Sequence, residues 1–132
     1  MTDIPTTPGD RVELRVPATS AYLAVLRTVA AGLAARLDFT LDDIEDLRIA
    51  VDEAGAMVLP FATEGADLTC RFELAPGELA VAVSVPSGRT EPPDRHSFAW
   101  TVLSALAGEV DAASRDGVVT VTLRKHRVVA GE

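Results

Sequence analysis

The apolar residues of this chain switch between alternating and helical spacing. Residues 11–16 alternate charged and apolar side chains, which predicts a short strand with one solvent-facing side. The next apolar residues follow at steps of three and four, as on the buried face of a helix: Leu23, Leu26, Ala30, Leu33 and Leu37. Thr19 or Ser20 is the predicted N-cap of this first helix.

A second helix is predicted between Thr40 and Pro60. Asp43 follows Thr40 by three residues, which is a variant of the capping box with Asp in place of Glu. Further acidic residues in the first turns suit the positive end of the helix dipole. Pro60 ends or kinks the helix because proline lacks a backbone N–H. The predicted buried stripe is Ile44, Leu47, Val51, Ala54 and Val58.

Alternation returns in the second half of the chain. Residues 68–74 and 79–85 alternate on either side of a turn at Pro76-Gly77, which predicts a hairpin. A proline-containing loop follows this hairpin. A third helix is then predicted over 98–108, with four side chains facing inward: Phe98, Val102, Leu103 and Leu106.

The last two predicted strands, 110–113 and 118–124, flank a turn at 115–117. The complete element order is β-α-α-β-β-α-β-β. This order predicts an α+β fold, a two-layer sandwich in which three helices cover one face of a mostly antiparallel, mixed sheet of about five strands.

The composition is that of one acidic domain. The chain has 132 residues and a formal charge of −8, and we expect a single domain over 11–125 with flexible tails at 1–10 and 126–132. The negative charge argues against direct binding to nucleic acid or to an anionic membrane. One cysteine and two histidines argue against a disulfide framework and a metal centre. Neither a signal peptide nor a membrane span of ~20 apolar residues is predicted, so we expect a cytoplasmic protein.

Two stretches carry a resemblance to a known family. Residues 44–54, IEDLRIAVDEA, resemble the segment that leads into the N-box of the GHKL ATPases, specifically the anti-sigma factor and serine kinase group of RsbW and SpoIIAB type. Residues 97–107, SFAWTVLSALA, resemble most closely the actinobacterial anti-sigma-F branch (UsfX-like). The resemblance implies the histidine kinase/HSP90-like ATPase fold and a homodimer.

The N-box is altered in this chain. In the family, its glutamate polarises the attacking hydroxyl and its asparagine holds Mg²⁺. The aligned residues are Glu53, at the position of the catalytic base, and Met57, at the position of the metal ligand. A thioether is a poor ligand for Mg²⁺, which prefers oxygen. The resemblance therefore assigns Glu53 to a catalytic position whose chemistry is predicted to be lost.

The other ATP motifs are altered as well. Pro86 stands where the family's aspartate binds adenine, and Gly88 matches a glycine of the same motif as a weak candidate for nucleotide contact. Residues 97–99 replace the Gly-x-Gly motif whose amides approach phosphate. The loop at 87–96 is short where the family has a long lid. Together, these changes predict that the chain does not use ATP.

The first helix is a candidate docking surface. Opposite its apolar stripe lie four small uncharged residues: Ala24, Thr28, Ala31 and Ala35. Arg27 borders them, and the resemblance places it at an arginine that contacts the sigma factor. Trp100 is a further candidate, because tryptophan is enriched in binding hot spots. The structural alternatives are that the alanines only favour the helix and that Trp100 is partly buried.

The combined interpretation is an anti-sigma factor that sequesters an alternative (SigF/SigB-like) sigma factor, as part of a stress response. A STAS-domain anti-anti-sigma factor would release the sigma factor, and no cofactor is expected. The alternative is an active ATP-dependent serine protein kinase that phosphorylates the anti-anti-sigma factor, with ATP and Mg²⁺ as cofactors and Glu53 as base. A third possibility is an adaptor without a sigma partner.

Overall fold

The computed structural model describes residues 9–127, which form five strands and three α-helices. The strands are β1 (Asp10–Pro17), β2 (Asp67–Ala75), β3 (Glu78–Pro86), β4 (Glu109–Arg115) and β5 (Val118–His126). The helices are α1 (Leu23–Arg36), α2 (Leu41–Val58) and α3 (Phe98–Leu106), with a 3₁₀ turn before α1 and another after α2. Asp10 and His126, predicted as tail residues, belong to strands, and most of the other predicted tail residues lie outside the described part of the chain.

The sheet has the order β1-β2-β3-β5-β4, and every neighbouring pair is antiparallel. The predicted α+β sandwich is therefore confirmed, with a sheet that is antiparallel throughout the described residues. Both predicted hairpin turns are present. Gly77 has a φ of 69° in the first, and Asp116 and Gly117 have φ of 53° and 77° in the second. Two successive positive φ angles are typical of a type I′ turn, whose twist matches that of the flanking strands.

The core lies between the inner face of the sheet and the helices. α1 contacts β2, α2 contacts β3 and β5, and α3 contacts β4, so the three helices lie side by side across the sheet. The largest fully buried side chains come from both layers: Leu26, Leu47, Val51, Val58, Leu68, Phe72, Leu79, Val81, Val83, Val85, Leu103 and Leu123. The core is therefore aliphatic apart from Phe72, as the low aromatic content requires.

Two local predictions are wrong. Phe98 was expected to face inward, yet its side chain is 83% exposed. Five residues separate it from the buried Leu103, and at about 100° per residue this places the two side chains roughly 140° apart on α3. The predicted caps Thr19 and Ser20 also fail, because a 3₁₀ turn comes first and α1 begins only at Leu23 without a side-chain cap. By contrast, Thr40 caps α2 as predicted.

Candidate functional site

Helix α2 lies between α1 and α3 and presents a different flank to each. We call the side that contacts α1 the α1 flank, marked by Asp52 and Gly55, and the opposite side the α3 flank, marked by Asp46, Glu53 and Met57. Residues separated by four and by seven positions lie on one side of a helix, so Asp46, Glu53 and Met57 line up along α2. The two flanks contain different kinds of predicted site residue.

The α3 flank holds a nearly buried lysine at one end. Lys125 of β5 has a side chain only 14% exposed, and its ammonium lies 3.7 Å from a carboxylate oxygen of Asp43 and 3.6 Å from one of Asp46. The same ammonium donates a hydrogen bond of 2.9 Å to the carbonyl oxygen of Leu106, the last residue of α3. One cation therefore joins the start of α2, the end of α3 and the sheet.

Further along this flank lie the residues of the altered N-box. Glu53 and Met57 are both half-buried, and Met57 packs against the hydrophobic core. The structure therefore brings the predicted base position and the thioether to one side of α2, one turn apart. Helix α3 packs directly against α2.

The loop between β3 and α3 is held by contacts within the chain. The backbone N–H of Ser87 donates to the carbonyl of Gly117 at 2.8 Å, and the Ser87 hydroxyl accepts from the Arg89 N–H at 3.1 Å. The Arg89 guanidinium lies over the ring of Phe61, 4.2 Å from its centroid. Gly88 is exposed, and a Cβ added there would meet no atom within 4 Å. The fold itself therefore does not require glycine at position 88.

The start of α3 is capped by its own sequence. The hydroxyl of Ser97 accepts from the N–H of Trp100 at 3.1 Å, which satisfies one of the amides at this helix end. Trp100 is half-buried against the core, and the Arg95 guanidinium covers its ring at 5.1 Å. The predicted contact residue is therefore partly shielded, while Phe98 is the exposed aromatic side chain in this region.

The α1 flank is open and centred on one ion pair. The guanidinium of Arg27 bonds to the carboxylate of Asp52, and both side chains are between one third and two fifths exposed. Ala24 and Thr28 are exposed beside this pair, and Ala31 is half-buried. The structure thus brings the predicted docking residues of α1 together on one face. It adds Asp52, which the sequence analysis had interpreted as an unpaired surface charge.

A close helix contact lies next to this ion pair. A Cβ added to Gly55 would fall 2.5 Å from the Cδ2 atom of Leu23, so glycine is needed for α1 to approach α2 this closely. Real Cβ atoms do not come so near to another heavy atom. The contact fixes the first turn of α1 on α2 and so positions Arg27, one turn later, beside Asp52.

Two surface carboxylates and one thiol have shifted pKa values. A hydrogen bond from Arg95 lowers the pKa of Asp111, and a hydrogen bond from Arg89 lowers the pKa of Glu91. Burial raises the pKa of the Cys70 thiol to about 12, so this thiol is unreactive at neutral pH. None of these groups belongs to the predicted site.

Searches for other kinds of site give limited results. Within residues 9–127, no group of three or more His, Cys, Asp or Glu side chains could hold a metal ion. None of the helices in this range is long and apolar enough to cross a membrane. Two grooves of about 250 and 290 Å³ lie on β4 and β5, and no predicted site residue lines either of them.

Sequence reasoning missed the ion pairs that join distant elements. Arg27 and Asp52 are 25 positions apart, and Lys125 lies far along the chain from both of its carboxylates. The one local signal was helical phase. Asp52 precedes Glu53 by a single residue, so the two carboxylates must point about 100° apart, and only one of them can share a flank with Met57.

Comparisons with known proteins identify relatives for part of the chain. The protein called serine-protein kinase RsbW from Bacillus thuringiensis (strain Al Hakam) is 32% identical over 82 residues, which are 62% of this chain and 46% of that protein. The RsbW of Bacillus cereus (strain ATCC 10987 / NRS 248) is 34% identical over 77 residues, or 57% of this chain and 48% of the relative. The match thus spans just under half the length of these relatives. No family model matches the chain.

A solved structure extends the comparison to most of the fold. The crystal structure of the RsbU and RsbW domains of Rv1364c from Mycobacterium tuberculosis matches with a TM-score of 0.70 and 18% identity, over 89% of this chain and 32% of that one. At this identity the match establishes the fold alone, and the fold is the predicted GHKL type. The chain is therefore a homologue of the RsbW serine-protein kinases over the matched residues, built on a GHKL-type sandwich.

Proposed function

We propose that this chain is a cytoplasmic anti-sigma factor that works without ATP. It binds and sequesters an alternative sigma factor of SigF/SigB type as a homodimer, and a STAS-domain anti-anti-sigma factor releases that sigma factor. The observation that carries the proposal is the α1 flank. Between Ala21 and Ala35, Arg27 is the one charged residue, and it lies on an exposed helix face of small side chains.

Small side chains let a partner backbone approach closely, and an arginine among them supplies a directional, bidentate donor. Asp52 holds the guanidinium of Arg27 at the edge of this face. Part of the Arg27 side chain remains exposed, so a partner carboxylate can reach it.

The net charge supports the same kind of partner. Proteins that bind DNA and RNA polymerase present basic surfaces, and a chain of charge −8 is complementary to them. Such complementarity raises the association rate more than the affinity. We therefore expect binding to weaken with salt mainly through slower association.

The residues at the family's nucleotide position do not fit ATP and Mg²⁺. Met57 offers sulfur where a hard cation needs oxygen, and it packs against the core. The carbonyl of Pro86 accepts from the N–H of Thr63, and its ring offers no acceptor to adenine. Ser97 caps the start of α3, so its hydroxyl occupies an amide that a phosphate would otherwise approach. These features support a binding role without phosphoryl transfer.

The competing function is an ATP-dependent serine protein kinase. Two observations favour it: the matched relatives are called serine-protein kinases, and Glu53 keeps a half-buried carboxylate on the α3 flank. Calorimetry with ATP and Mg²⁺ separates the two functions. A dissociation constant in the low micromolar range, about −8 kcal/mol, together with phosphate transfer to a STAS-domain protein, would replace the proposal by the kinase.

The docking surface is tested by surface plasmon resonance against an alternative sigma factor from the same organism. Arg27→Glu is expected to weaken binding at least about 30-fold, because two carboxylates would then oppose each other at a desolvated contact. Ala31→Arg is expected to weaken binding through steric obstruction.

A control and a double variant isolate the effect of Arg27. Arg71→Glu reverses a comparably exposed arginine near Glu13 on the sheet, and should change affinity by less than about threefold. Arg27→Glu/Asp52→Asn removes the repulsion within the chain, so it should restore stability without restoring binding. Wild-type affinity in Arg27→Glu and Ala31→Arg would place the docking surface elsewhere.

A further inference from the structure

The two edges of the sheet are treated differently. At one edge, Arg95 donates to the backbone carbonyl of Ala112 in β4 at 2.8 Å and also pairs with Asp111. The hydroxyl of Ser114 donates to the carbonyl of Arg89, so the loop before α3 lies along β4. A side chain that occupies an edge carbonyl hinders the addition of another strand. The β4 edge is therefore protected.

The opposite edge, β1, pairs with β2 alone among the described residues and has a self-complementary sequence. Its charged residues alternate in sign at every second position: Arg11, Glu13 and Arg15. Across the sheet, Arg11 bonds to Glu73 at 2.8 Å, and Glu13 lies 3.9 Å from Arg71. Ion pairs therefore run from β1 onto β2 with the two signs reversed between neighbouring rows.

The apolar side of β1 is incompletely covered. Val12 is 36% exposed and Leu14 is half-buried, although both share the sheet face that packs on the helices. On α1, the side turned away from α2 carries Val25, which is 40% exposed, and the half-buried Val29. Helix α1 is the helix nearest this edge. The edge thus ends in a strip of exposed aliphatic side chains.

We propose that two copies of this chain pair antiparallel along β1, with the two-fold axis at Val12, to form one continuous ten-stranded sheet. The inference rests on the homodimer included in the proposed function and specifies its surface. In this register, Val12 opposes Val12 of the second copy, and Arg11 opposes Glu13. Each row then reads Glu73, Arg11, Glu13 and Arg71 from one copy into the other, with alternating sign across the interface.

Other registers fit less well. Pairing centred on Glu13 would place Glu13 against its own copy and Arg11 against Arg15, and like charges directly opposite are unfavourable. A shift by one residue would set charged side chains against apolar ones, because the side-chain period of a strand is two. The Val12 register also covers the more exposed of the two apolar side chains on this strand.

Sedimentation velocity tests the pairing. The wild-type chain is expected to sediment as a dimer. Val12→Lys is expected to raise the dimer dissociation constant at least about tenfold, because two ammonium groups would meet at the axis. Val118→Lys is the matched control, since Val118 is 38% exposed and lies on β5, away from this edge. Circular dichroism checks the fold of both variants. A monomeric wild-type chain would overturn the proposal.

Cysteine cross-linking tests the register. Residues directly opposite in an antiparallel pair have Cα atoms about 4.5–5.5 Å apart, within the range that a disulfide spans. Val12→Cys should therefore form a covalent dimer under mild oxidation. Leu14→Cys, displaced along the same strand, and Val118→Cys should not. The native Cys70 is fully buried and does not interfere.

The outcomes distinguish this inference from the proposed function. A dimer that Val12→Lys leaves intact, or that cross-links at position 14 instead of 12, would overturn the pairing while sigma binding persists. Loss of sigma binding in Arg27→Glu with an intact dimer would support the docking surface independently. A chain that cross-links at position 12 but binds no sigma factor would retain the dimer and overturn the proposed function.

Discussion

The two flanks of α2 differ in how the chain treats charge. On the α3 flank, Lys125 is nearly buried and contacts two carboxylates and a helix carbonyl, so its charge is part of the packing between elements. On the α1 flank, Arg27 and Asp52 pair in contact with solvent beside small side chains. One flank therefore serves cohesion, whereas the other leaves charge available. In this chain, the side of α2 that carries the altered N-box is the packed one.

The largest expected effect breaks the packed flank. Lys125→Met should lower the free energy of unfolding by about 3 kcal/mol, because it leaves the buried Asp43 without its lysine and the Leu106 carbonyl without its donor. Urea denaturation measures the change. Lys125→Met/Asp43→Asn should regain part of the loss, since the uncompensated charge is then removed. A cost below about 0.5 kcal/mol for the single variant would show that this cluster is solvated.

A smaller effect is expected at Met57. Met57→Asn restores the family's metal-ligand residue, yet it places an amide in a half-buried apolar position, which should cost roughly 1–2 kcal/mol of stability. We expect no gain in ATP and Mg²⁺ binding by calorimetry, because Pro86 and the capped start of α3 are unchanged. Micromolar nucleotide binding by this variant would mean that one side chain separates the chain from the nucleotide-binding members of the family.

Arg27→Met sharpens the comparison, because it repeats on the open flank the kind of substitution made at Lys125. The Arg27–Asp52 pair is partly solvated, so its loss should cost no more than about 1 kcal/mol in urea denaturation. The cost should also shrink with added salt. An equal cost for Arg27→Met and Lys125→Met would remove the distinction between the flanks.

The smallest effect concerns the Arg95–Asp111 pair at the β4 edge. Arg95 lowers the pKa of Asp111 in the folded chain, so the ionised carboxylate stabilises the fold above its ordinary pKa and loses this effect as the pH falls. Asp111 is largely exposed, so Asp111→Asn should cost less than about 1 kcal/mol at pH 7. The difference from the wild type should shrink below about pH 4. A difference that grows on acidification would contradict this assignment.

The sequence patterns predicted the strands and turns better than the helix ends. Strand alternation and the residues of the two hairpin turns are local signals, and both were confirmed. The start of α1 was misplaced because Thr19 and Ser20 are good caps in isolation, whereas the chain makes a 3₁₀ turn there first. Phe98 was misplaced because an aromatic residue at the first turn of a short helix can lie outside the buried stripe.

The candidate site was predicted as a set of positions, without its contacts. Helical spacing put Glu53 and Met57 on one side of α2, as observed. The partners of Arg27 and Lys125 come from elements far away in sequence, and no local pattern encodes which side chain a neighbouring helix or strand brings. The role of each charged residue therefore followed only from the tertiary structure.

The position of β1 in the sheet also determines the order in which the fold can assemble. β2–β3 and β4–β5 are local hairpins, but β1 joins β2 only after both α1 and α2 have been passed, with Asp10 opposite Leu74. Long-range pairing closes a large loop and is slow, so we expect the hairpins to form first and β1 to dock late. In native-state hydrogen exchange, the amides of β1 should open at lower free energy than those of the central β3. An intermediate without β1 would expose the next edge, β2, which makes this strand the aggregation hazard of the folding reaction.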